Sequence, residues 1–67
     1  MKSQLRIGDH VNDGGITGIV VANVGAGEFS AEYKAADWAY LAVGVLVMTV
    51  EAGLVHYPDP AGLQLLT

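Results

Sequence analysis

Residues Val43 to Tyr57, VGVLVMTVEAGLVHY, restrict the folds open to this chain more than any other stretch. Two apolar runs flank Glu51-Ala52-Gly53. Val43, Val45, Val47, Thr49 and Val50 branch at the β carbon, which restricts the first side-chain torsion and suits a pleated surface. Gly44 would cost a helix about 1 kcal/mol relative to Ala. Glu51-Ala52-Gly53 suits a three-residue loop, a type I turn closed by a glycine in the left-handed region. Pro58 and Pro60 have no N–H for a ladder and stop the second run. The stretch is therefore expected to be a β-hairpin at the centre of a small all-β domain.

Both surfaces of the long apolar runs are greasy. In Ile16 to Val24, alternation places Ile16, Val20, Ala22 and Val24 on one face and Ile19 and Val21 on the other. In Val43 to Val50 it separates Val43, Val45 and Val47 from Leu46, Met48 and Val50. A one-sided antiparallel strand alternates apolar with polar. Each side chain of this size removed from water stabilises by roughly 1.5–3 kcal/mol, and left bare they make a sticky patch. A second layer must cover Leu46, Met48 and Val50: either the chain's own Lys34 to Leu41 or another copy. These three are the candidate interface residues.

A helix is the competing reading for residues 31–41, AEYKAADWAYL, where Ser30 offers a cap. Trp38, Leu41 and Val45 keep helical spacing, but a helix continued through Val50 would be apolar all round. A short helix or single turn near Ala35 to Tyr40 is compatible with the hairpin. A membrane span is not expected. Trp38 to Val50 is 13 residues between Asp37 and Glu51, and a spanning helix needs about 20.

The 67 residues are read as one domain, 1–67. A chain this short buries only about 60% of its extended surface. There is no Cys to staple it and there are two His, so association is the expected route to added stability. Net charge is −4, which disfavours a nucleic-acid partner, since that would want a basic stripe. Hydrophobic residues make up 52% and charged residues 15%, more apolar material than one small core hides. MKSQLRIGDH lacks an apolar run after its basic residues, so no secretory signal is read and a cytoplasmic location is expected.

Leu5 to Val11 is predicted as a first strand bent at Gly8, Asn12-Asp13-Gly14-Gly15 as a turn, and Ile16 to Val24 as a second strand. After a turn at Gly25-Ala26-Gly27, Glu28 to Tyr33 is predicted as a third strand with Phe29, Ala31 and Tyr33 on one face. Asp59-Pro60-Ala61-Gly62 turns the chain into Leu63 to Leu66, a last short strand or helical turn. Gly8-Asp9-His10-Val11 followed by Gly18-Ile19-Val20-Val21 resembles the opening of SH3-like small barrels, and Gly44-Val45-Leu46-Val47 with Gly53-Leu54-Val55 has the rhythm of their later strands. The resemblance implies a small, mostly antiparallel barrel of about five strands with one helical turn. Among such barrels, the translation and transcription modules of the KOW type are usually basic and this chain is acidic. The type II dihydrofolate reductases carry a Val-Gln-Ile-Tyr motif that is missing here. The pattern also resembles small bacterial or prophage-encoded proteins of unknown role.

In SH3-like barrels, aromatic residues near loop ends line ligand grooves, which makes Tyr33, Trp38, Tyr40 and Tyr57 candidate binding residues. The alternative is that Trp38 plugs the barrel end and the tyrosines cover its rim. His10 and His56 lie in separate predicted strands and do not form a compact ligand motif, so no metal and no cofactor is expected. Asp9-His10 with Ser3, Thr17 or Ser30 lacks the local geometry of a nucleophile, and no catalytic residue is assigned. Gly14-Gly15 and Gly25-Ala26-Gly27 lack the context of a phosphate loop. The expectation is a non-catalytic interaction module that binds itself, as a homodimer for instance, or a larger protein. The alternatives are a small ligand-binding or enzymatic barrel whose site forms between subunits, and a nucleic-acid-binding barrel, which the charge disfavours.

Overall fold

The computed structural model describes residues 5–66; Ser3 lies outside them. In chain order the elements are β1 (His10–Asp13), β2 (Ile16–Asn23), β3 (Glu28–Phe29), α1 (Ala35–Trp38), a 3-10 turn (Ala39–Leu41), β4 (Val45–Thr49), β5 (Gly53–Tyr57), a second 3-10 turn (Pro60–Gly62) and β6 (Gln64–Leu65). The described strands form one antiparallel sheet in the order β5-β4-β2-β1-β6, with β3 also paired to β2. The all-β reading holds. The closed barrel does not, because β5 and β6 end the sheet without pairing to each other. The two prolines in Pro58-Asp59-Pro60 cannot donate to a ladder, and only Gln64–Leu65 is left to pair, which it does with β1.

Strand β2, and not the β4–β5 hairpin, is the centre. Its first half pairs with β1, its second half with β3, and Gly18 to Asn23 pairs along the opposite edge with β4. Strand β5 is an edge. The β1–β2 hairpin closes through Gly14-Gly15, both at positive φ, which is the two-residue turn whose twist matches its strands. The first strand is shorter than expected because Arg6 to Asp9 forms a turn. The Asp9 carboxylate accepts from the Arg6 N–H at 2.9 Å, and the Asp9 N–H donates to the Arg6 carbonyl at 3.0 Å. The third strand stops at Phe29. The chain then bends, with the Tyr33 N–H donating to the Ser30 carbonyl, and Ala31 stays exposed while Phe29 and Tyr33 turn inward.

A bulge at Val21 decides what each face holds. Val20 opposes Val47 and Ala22 opposes Leu46, so β2 carries one residue more than β4 between these pairs. Opposed residues share a face, and the extra residue sends Val20 and Ala22 to opposite sides. The expected common face of Val20, Ala22 and Val24 is corrected accordingly. Val11, Val20, Val45 and Val47 form an inner cluster with Leu5, Tyr57 and Leu63. Ala22, Val24 and Leu46 form an outer cluster under Phe29, Tyr33, Trp38 and Leu41. The inner face is concave enough to bring the Tyr57 hydroxyl near the Asp13 carboxylate.

Two glycines permit the curl. A methyl at Gly18 would lie 2.5 Å from Val47 Cγ1 and 2.7 Å from the Met48 carbonyl. Gly44 has a φ of 86° and faces the Tyr57 carbonyl and Pro58 so closely that no Cβ fits. The Asn23 side chain, missed by sequence reasoning, fastens the ends of the sheet. It is buried, its Nδ2 donates to the Leu5 carbonyl at 2.7 Å and its Oδ1 accepts from the Ala26 N–H at 3.2 Å. An Asn immediately before a glycine-rich turn was the available signal.

Candidate functional site

The outer face is half covered. Residues 30–43 leave the sheet at β3, form α1 and the 3-10 turn, and return to β4. Tyr33, Trp38 and Leu41 from this segment pack over Leu46, Ala22 and Val24. The Tyr33 and Trp38 rings meet at a centroid distance of 6.0 Å and 52°. The short helix near Ala35 to Tyr40 is present, but it starts after Lys34 with no side-chain cap, and Ser30 does not cap it.

The other half is bare. His10 opposes Ile19, Ile19 opposes Met48, and Met48 opposes Leu54. These four form one row across β1, β2, β4 and β5 on the outer face. Leu66 extends the row, its N–H donating to the His10 carbonyl at 2.8 Å. Ile19 is 42% exposed, Met48 39% and Leu66 50%. The next row holds Asn12, Thr17 and Gln64, and Val50 joins Thr17 through its N–H. None of these positions is acidic, although the chain has seven carboxylate side chains.

Val50 stands out at 87% exposed. Thr49 accounts for this by ending the strand. Its Oγ1 accepts from the Ala52 N–H at 2.9 Å and donates to the Gly53 carbonyl at 2.8 Å. The loop is therefore Val50-Glu51-Ala52, one residue earlier than expected, with Gly53 at φ 72° opposing Thr49.

The three candidate interface residues thus separate. Leu46 is 1% exposed and lies beneath the chain's own cover, so it cannot meet a partner in this conformation. Met48 and Val50 remain accessible. The four candidate binding residues separate as well. Tyr33 and Trp38 are together in the cover, Tyr40 projects from it into solvent, and Tyr57 is on the inner face. They do not line one groove. Burial holds the Tyr57 hydroxyl above its ordinary pKa, and the nearby Asp13 carboxylate adds to this. The His56 Nε2 donates to the Val43 carbonyl at 2.9 Å, which fixes a proton on that nitrogen. Among the described residues no group of three or more His, Asp or Glu side chains could hold a metal ion, and no helix is long and apolar enough to cross a membrane.

Comparison with protein-family models, curated proteins and solved structures finds no match to this chain.

Proposed function

We propose that this chain is a non-catalytic interaction module that self-associates through the uncovered half of its outer face. One observation carries the reading: Ile19 and Met48 lie side by side in this row and are exposed, as are Val50 beside them and Leu66 beyond His10, all on one side of the sheet, with half-buried Leu54 next to Met48. Contiguous exposed apolar surface of this kind marks interaction sites. Charge favours a second copy as the occupant. Two molecules at net −4 repel in general, yet the rows facing each other would bring no carboxylate against another. Glu51 stands at the border, where water still solvates it. A self-complementary patch is what a two-fold dimer requires.

Sedimentation velocity across a hundredfold range of concentration tests the reading. The expected result is a monomer–dimer equilibrium that Ile19→Asp shifts to monomer, while Glu28→Lys, away from the row, leaves it unchanged. A wild type that stays monomeric throughout would overturn the self-association. A partner captured through the same row would then be a different protein.

A further inference from the structure

We infer that residues 31–41 are a displaceable strap, and that its release uncovers Leu46 and joins the strap's seat to the bare row as one larger apolar surface. The inference rests on features of the strap itself and stands apart from the self-association proposed above.

Four observations point the same way. First, the strap holds the sheet through Tyr33, Trp38 and Leu41, each half-buried, and neither α1 nor the 3-10 turn contains a buried residue. The sheet beneath is different: Ala22 and Leu46 are sealed and β4 is laddered on both edges. Second, the strap's exit is strained. Ala42 sits at φ 69° and ψ −37°, and the Val43 N–H donates to the Leu41 carbonyl at 2.7 Å, a tight γ-turn of the positive-φ hand. That conformation is rare and disfavoured for a residue with a Cβ. It persists only while the surroundings impose it, and release relieves it. Third, the strap's entry hides Ser30 Oγ from water without a hydrogen-bond partner among the described residues, and opening would hydrate it. Fourth, α1 is a single turn with no side chain on its first N–H groups, too short to persist without packing. Among the described residues, the apolar seat is therefore the main hold on both ends and the middle. The His56 hydrogen bond to the Val43 carbonyl anchors the chain just beyond the strained turn, so the movement stops there and β4 keeps its place.

Trp38 is the chain's single tryptophan and lies in the strap, so its emission reports the strap and not the sheet. The test is a denaturant titration followed by Trp38 emission and by far-ultraviolet circular dichroism on the same samples. A released strap gives an emission transition at lower denaturant, with a shallower slope, than the sheet transition. Ala42→Gly removes the strain but adds freedom to the open state, and should lower the open population about threefold. Ala42→Val, branched at a position of positive φ, should raise it and widen the gap between the transitions. Coincident transitions in the wild type and both variants would overturn the inference. Release is unimolecular, so the Trp38 emission transition should fall at the same denaturant at protein concentrations tenfold apart, even where the sheet transition of a dimer moves. An emission transition that shifts on dilution would also overturn the inference. Sedimentation reads the dimer separately, so failure of either proposal is visible on its own.

Discussion

Leu46 and Met48 are two residues apart on the same face of β4, and the same substitution should do opposite things at each. Leu46 is fully buried between the sheet and Trp38. Leu46→Asp removes about 1.5–3 kcal/mol of apolar burial. It also forces a carboxylate into a dry site, which costs several kcal/mol more even after the group takes up a proton. The sum exceeds about 5 kcal/mol, the lower end of the stability of small domains, so this variant should be unfolded at room temperature. Met48 already meets water over 39% of its surface, and a carboxylate there can stay hydrated. Met48→Asp should cost about 1 kcal/mol of fold stability, the part of its burial that is lost. Across a two-fold interface each copy would bring that charge, and association should weaken at least tenfold, or about 1.4 kcal/mol. Circular dichroism melts and sedimentation velocity at matched concentrations separate the effects. A folded Leu46→Asp variant would refute the placement of Leu46 under the strap. A Met48→Asp variant that sediments like the wild type would refute the bare row as the interface.

Two further outcomes follow from the concave face. Gly18→Ala puts a methyl against Val47 Cγ1 and the Met48 carbonyl, and because backbone cannot step aside it should destabilise by about 1–3 kcal/mol in denaturant titration; a change under half a kcal/mol would refute the close approach. Tyr57 should lower alkaline stability. Its folded pKa is raised, so the unfolded chain loses this proton first, near pH 10. The stability it contributes is present below that pH and is lost as pH rises through the higher folded value. Tyrosinate absorbance should show one of three tyrosines titrating late, and Asp13→Asn should bring it part of the way back, since burial remains; three tyrosines titrating together would refute the contact.

Local signals were the legible ones. Asn12-Asp13-Gly14-Gly15 and Gly53 mark the two tight hairpins, and the valine-rich runs mark β2 and β4, because turn chemistry and branched side chains act within a few residues. The bulge at Val21 was not legible: a period of two has no mark for a residue that drops out of register. Strict alternation therefore put Val20 with Ala22, and the inner and outer clusters could not be told apart. The alternation of Glu28 to Tyr33 looked like a strand, but only two residues find a partner on β2, since β1 occupies the rest of that edge. The covering role of Lys34 to Leu41 was open in the sequence as one of two choices, decided by Trp38 and Leu41 reaching Leu46. Tyr57 looked like Tyr33 and Trp38 by composition, and its register opposite Val45 places it on the other side.

The position of β2 governs how the chain can assemble in time. Its hairpin with β1 and the hairpin of β4 with β5 each close over a few residues and can form within microseconds. The ladder from Gly18–Thr49 to Asn23–Val45 unites them only after everything from Val24 to Gly44 has been looped out, and that closure draws on chain entropy before any contact repays it. Two quick halves must wait for one slow meeting, and during that wait the valines of β2 and β4 stand uncovered.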